Sequence, residues 1–136
     1  MRGLPRLIAT VLPIAALALH AGATHAAEPT LGIHIHSDMA MFQVLISPGK
    51  TGNDSIVLQL MNGDGTLLQA RAATLVLTRL EGGAEPISRK AELGGDHYWH
   101  VENVPITVAG RWRVRIEAAT LFKTIALEED FDLPAQ

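Results

Sequence analysis

Gly110-Arg111-Trp112-Arg113-Val114-Arg115-Ile116-Glu117-Ala118 alternates without a break. Apolar Trp112, Val114 and Ile116 fall on one parity, and charged Arg111, Arg113, Arg115 and Glu117 on the other. A β-strand sends successive side chains to opposite faces, so this period of two predicts a half-buried strand with Trp112, Val114 and Ile116 inward. Short stretches of similar character flank it on both sides. Residues 31–36, 41–47, 55–61, 73–80, 87–93, 97–101 and about 123–133 all read as strands rich in β-branched and aliphatic residues.

Turn chemistry separates these stretches. Pro48–Asp54 is dense in Pro, Gly, Asn and Asp, Asn62-Gly63-Asp64-Gly65 is a tight-turn signal, and Gly94-Gly95-Asp96 is another. Seven or eight short antiparallel strands with turns every 8–12 residues or so predict an all-β, Ig-like antiparallel β-sandwich. Beyond the N-terminal segment, no run of ten residues carries a helical period.

The N-terminus has a different composition. Arg2 and Arg6 precede an uncharged apolar run, Leu7–Leu19, and small residues follow through Ala23 and Ala26. This is the layout of a secretory signal peptide over residues 1–26, with cleavage after Ala26 or, alternatively, Ala23. The 13 residues of the run fall short of the roughly 20 that span a bilayer, so no membrane span is expected to be retained. The expected mature domain, residues 27–136, is periplasmic or secreted and is sized for one core.

Charge and composition narrow the function. The chain has 11 Lys and Arg against 14 Asp and Glu; without Arg2 and Arg6 the balance is 9 against 14, a net of −5. A basic surface for nucleic acid is not expected. There is no Cys, so neither a disulfide nor a lipid-modified cysteine is available, and any metal site must use His, Met, carboxylate or backbone atoms.

Such atoms concentrate at Gly32–Phe42. If residues 32–36 are a strand, Ile33 and Ile35 take one face and His34 and His36 the other. Met39 and Met41 follow within five residues of His36. Imidazole suits Cu(II), and thioether sulfur selects Cu(I), so His34, His36, Met39 and Met41 are the candidate metal ligands and copper the candidate ion. The competing reading is a solvated amphipathic strand followed by methionines that fill the core. His97 and His100 differ in parity, which places His100 outward and His97 inward on a regular strand. Met61 ends an apolar strand and reads as core. Glu128-Glu129-Asp130 reads as a solvated acidic run.

Enzymatic signatures are not found. Gly-x-Ser-x-Gly, phosphate-binding glycine loops and His-Glu-x-x-His do not occur. A triad of Ser88, Asp96 and His97 would need a spatial convergence that spacing alone does not supply. The expectation is a protein that is not an enzyme.

Four blocks, HIHSDMAMFQVLISPGKTGND, NGDGTLLQARAATLVLTRLEGGAEPISRKA, HYWHVENVPITVAGRWRVRIEAATLF and ALEEDFDL, resemble one module in order and spacing. It is the periplasmic or extracellular YtkA-like, Ig-like domain of copper-resistance D (CopD/YcnJ-type) copper-transport proteins, and the resemblance covers about residues 33–133. It implies an Ig-like fold and copper handling outside the cytoplasmic membrane, with His34, His36 and Met41 in the family's pattern. Met39 stands where a Lys or another polar residue is expected. The family's membrane-spanning transport part has no counterpart here, which implies a soluble carrier that buffers copper or delivers it to an inner-membrane copper transport protein. The alternative is a structural or interaction module that binds no metal and docks on a membrane protein through an edge strand or the Arg111–Arg115 stripe.

Overall fold

The computed structural model describes Gly3 and residues 29–136; the signal-peptide reading and both cleavage positions lie outside them. The described chain is all β, with nine strands in two antiparallel sheets that pack as a sandwich. The strands are β1 Leu31–His36, β2 Ala40–Ser47, β3 Gly52–Asn62, β4 Ala72–Arg79, β5 Ile87–Lys90, β6 Glu92–Leu93, β7 Trp99–Ile106, β8 Gly110–Ala119 and β9 Thr124–Leu133. One sheet has the order β1-β2-β3-β7-β6 and the other β5-β4-β8-β9.

Alternation builds both inner faces. Phe42, Val44 and Ile46 of β2 and Ile56, Leu58 and Leu60 of β3 are buried against Leu75 and Leu77 of β4 and Val114 and Ile116 of β8. Trp112 is 3% exposed, as its parity predicts, and its indole Nε1–H donates to the Val108 carbonyl at 2.9 Å. A buried Trp is stable only with its N–H satisfied, and the loop before β8 supplies the acceptor.

The segment 87–93, read from the sequence as one strand, is two. Ile87–Lys90 pairs with β4 in one sheet, whereas Glu92 and Leu93 pair with His100 and Trp99 of β7 in the other. The change of sheet occurs at the half-buried Ala91, whose N–H donates to the Ala73 carbonyl at 2.9 Å.

One turn places the start of β1. Gly49 has φ of 78°, and a Cβ there would lie 2.8 Å from Leu31 Cβ. Only glycine allows the β2–β3 connection to pass this close to the first residue of β1. The Gly49 N–H donates at 2.9 Å to Oδ1 of Asp54, a carboxylate that is 1% exposed. Burial pushes the Asp54 carboxyl up, while the backbone N–H groups of Gly49 and Lys50 and the Lys50 charge pull it back.

Candidate metal centre

β1 is an edge strand, so its outward side chains meet solvent on the sheet face and at the sheet border. Ile33 and Ile35 are buried, and His34 and His36 are exposed, as the alternation requires. The two imidazoles are nearly parallel, at 15°, with ring centroids 6.4 Å apart.

The β1–β2 connection is short and tied down. Ser37 Oγ accepts from the N–H groups of Met39 and Ala40 at 3.2 and 3.1 Å, and the Ser37 N–H donates to the Ala40 carbonyl at 2.9 Å. The Met39 carbonyl in turn accepts from the Gly63 N–H at 3.1 Å, which holds the bend against the end of β3. A side chain at Gly63 would lie 2.9 Å from the Asp38 carbonyl oxygen, so this close approach depends on the glycine. Met39 is 53% exposed at this bend.

Register then decides which donors are neighbours. His34 pairs with Gln43, and His36 with Met41. On the next strand Met41 pairs with Met61, and Gln43 with Gln59. Residues directly opposite one another on antiparallel strands share a face, with Cβ atoms about 4.5–5.5 Å apart. The outward face therefore carries the row His36–Met41–Met61 beside the row His34–Gln43–Gln59. Met61, expected in the core, is half-buried on this outer face, while its neighbour Leu60 is buried on the inner one. The signal that marks it is Gln59, which shares the parity of Met61 and identifies that parity as outward.

His100 does not join this row. It lies on β7, opposite Val57 of β3 and Glu92 of β6. Three strand spacings of about 4.8 Å separate β7 from β1, beyond the reach of two side chains that share an ion. Instead, both oxygens of Asp96 lie 3.0 Å from His100 Nε2, and this contact holds the Asp96 carboxyl below the usual carboxylate range. His97 is exposed in the preceding turn with φ of 68°, rather than inward at the start of a strand. Asp96 thus faces His100 rather than His97, and Ser88 sits on β5 in the opposite sheet.

The other charged features are absorbed by one another. Arg111 pairs with Asp132, Arg113 with Asp130, and Arg115 with both Glu117 and Glu128. The arginine stripe and two residues of the acidic run are two halves of one ion-pair ladder on the outer face of β8 and β9.

The backbone is similar to that of a copper-bound variant of FetP from uropathogenic Escherichia coli, with a TM-score of 0.57 and 9% sequence identity over 79% of this chain and 97% of that one. At this identity the likeness is one of fold. No family model matches the chain, and no curated protein matches it. The β-sandwich is thus what the comparison supports of the expected YtkA-like architecture.

The donor set fits copper in kind. Among the described residues no three His, Asp or Glu side chains group as a metal site. For a centre at β1 with more than two donors, Met41 supplies sulfur directly beside His36. Metal–imidazole bonds are about 2 Å long, so rings at 6.4 Å must turn about their side-chain torsions to share an ion. Both rings are exposed, and neither has a hydrogen bond to another described side chain that would oppose the turn.

Proposed function

We propose that this chain is an exported copper-handling β-sandwich that binds copper at the edge strand β1 and buffers it or delivers it to a membrane copper transporter. His34 and His36 are the nitrogen ligands for Cu(II), and Met39 and Met41 offer sulfur to Cu(I). The observation that carries this reading is the pairing of His36 with Met41 across β1 and β2, beside His34. An edge strand at the rim of the sandwich leaves the centre open to ligand exchange with a partner. The YtkA-like resemblance and the fold shared with a copper-bound protein support the same reading. The protein acts in this reading as a carrier rather than an enzyme, after removal of a signal peptide.

The test is metal analysis and titration of the mature chain with Cu(II) and Cu(I). His34→Ala with His36→Ala is expected to abolish Cu(II) binding and leave the circular dichroism unchanged, because both rings lie outside the core. Equal Cu(II) affinity in the two proteins removes β1 as the site. N-terminal sequencing of exported protein is expected to begin at residue 27, or at 24 with the earlier cleavage.

A second reading, a docking module that binds no metal, rests on the β8–β9 turn. There Leu121 is 60% and Phe122 89% exposed, and both line a groove together with Leu68 and Gln69. The arginine stripe does not support this reading, since its charges are matched within the sheet.

A further inference from the structure

We propose that Met61 is a ligand of the copper centre and that, with His36 and Met41, it forms the Cu(I) site. This rests on the copper reading above and adds to it a donor from a third strand. Met41 is the middle member of the row, paired with His36 on one side and with Met61 on the other. Each step of the row sets Cβ atoms about 5 Å apart. An ion above Met41 therefore has an imidazole and a second thioether on its two flanks, from residues that the ladder already holds side by side.

Three further observations favour this end of the sheet for the cuprous ion. Met41 and Met61 are half-buried, whereas His34 and His36 are exposed at the rim. The thioethers of Met41 and Met61 thus occupy a drier part of the surface than the two imidazoles. Met61 is also bridged to Leu67 on its far side, so an apolar residue bounds the row where it meets the β3–β4 loop. The clip between the Met39 carbonyl and the Gly63 N–H brings the remaining thioether's backbone to the same end. Cu(II) then sits towards the His34–His36 edge and Cu(I) further in, along His36–Met41–Met61, with His36 common to both.

The experiment titrates the mature chain with Cu(I) against a competing chelator and with Cu(II), for wild type, Met61→Leu and Met41→Leu. Leu nearly conserves the volume of Met and removes only the sulfur, and circular dichroism checks the fold. Met61→Leu is expected to weaken Cu(I) about tenfold or more, at least the loss that follows removal of an outer-shell partner of a metal. It should leave Cu(II) affinity unchanged. In wild type labelled at the methionine methyl groups, the Met41 and Met61 resonances should both move on addition of Cu(I). If wild type binds Cu(I) while Met61→Leu binds it equally well, or the Met61 methyl does not move, the Met61 proposal is overturned and the copper reading stands. An equal fall for Cu(I) and Cu(II) in Met61→Leu marks a structural disturbance and also overturns it. Wild type that binds neither ion overturns both readings.

Discussion

Arg113 of β8 and Asp130 of β9 stand opposite each other in the ladder, with Nε 2.7 Å from Oδ1. The guanidinium holds the Asp130 carboxyl below the usual carboxylate range, and the carboxylate raises Arg113 in return. A carboxyl depressed by folding contributes stability above its unfolded value, and that contribution is lost as pH falls through the folded value. Unfolding in urea should therefore become easier on acidification below the ordinary carboxylate range. Asp130→Asn should flatten part of that slope, and salt should weaken the wild-type pair, because both half-buried groups still reach solvent. Parallel pH profiles for the two proteins would remove Asp130 as a contributor.

Trp112 carries a different kind of stability. Trp112→Ala deletes a core aromatic that is 3% exposed and leaves the Val108 carbonyl without its indole donor. The cost should be about 3–5 kcal/mol, a large share of the roughly 5–15 kcal/mol available to a domain. A denaturation midpoint within error of wild type would falsify the inter-sheet placement.

Asp54 is expected to act in the opposite sense to Asp130. Its carboxyl is raised by burial, and Oδ2 has no hydrogen-bond partner among the described residues. The folded state then binds the proton more tightly than the unfolded one, so this group's contribution falls as pH rises from the ordinary carboxylate value through the raised one. Asp54→Asn keeps an acceptor for the Gly49 N–H and should abolish that fall without loss of stability at neutral pH. Asp54→Ala should instead cost about 1–3 kcal/mol, since the buried Gly49 N–H loses its partner. Chemical denaturation across pH separates the three proteins, and identical pH slopes for wild type and Asp54→Asn would sink the argument.

The two oxidation states of copper should differ in their response to acid. An imidazole nitrogen must be unprotonated to ligate, so protons compete with Cu(II) at His34 and His36. The thioethers of Met39, Met41 and Met61 carry no proton in this range. Cu(II) affinity is expected to fall steeply on acidification and Cu(I) affinity less so. Titration of both states at two pH values decides this, and equal sensitivity would mean that imidazoles dominate both.

Much of this architecture is present in the residues themselves. Alternation in Gly110–Ala118 and Leu31–His36 is a local property of a strand, so Trp112 inward and His34 and His36 outward follow from parity alone. The glycine-rich and proline-rich turns mark where strands end for the same local reason. Pairing is not local. Parity places Met61 on the face of Gln59, yet only the β2–β3 register sets Met61 opposite Met41, and only the β1–β2 register sets Met41 opposite His36. A shift of one residue would send that set of side chains to the other face. The split of 87–93 at Ala91 is likewise invisible to periodicity, because β5 and β6 keep strand geometry while they hydrogen-bond to different sheets. His97 departs from its expected inward position because its positive φ breaks the strand before Trp99, so parity counted back from Trp99 no longer applies. Sequence determined which faces carry imidazole and charge; the register of three strands decided that one imidazole and two thioethers stand in a row.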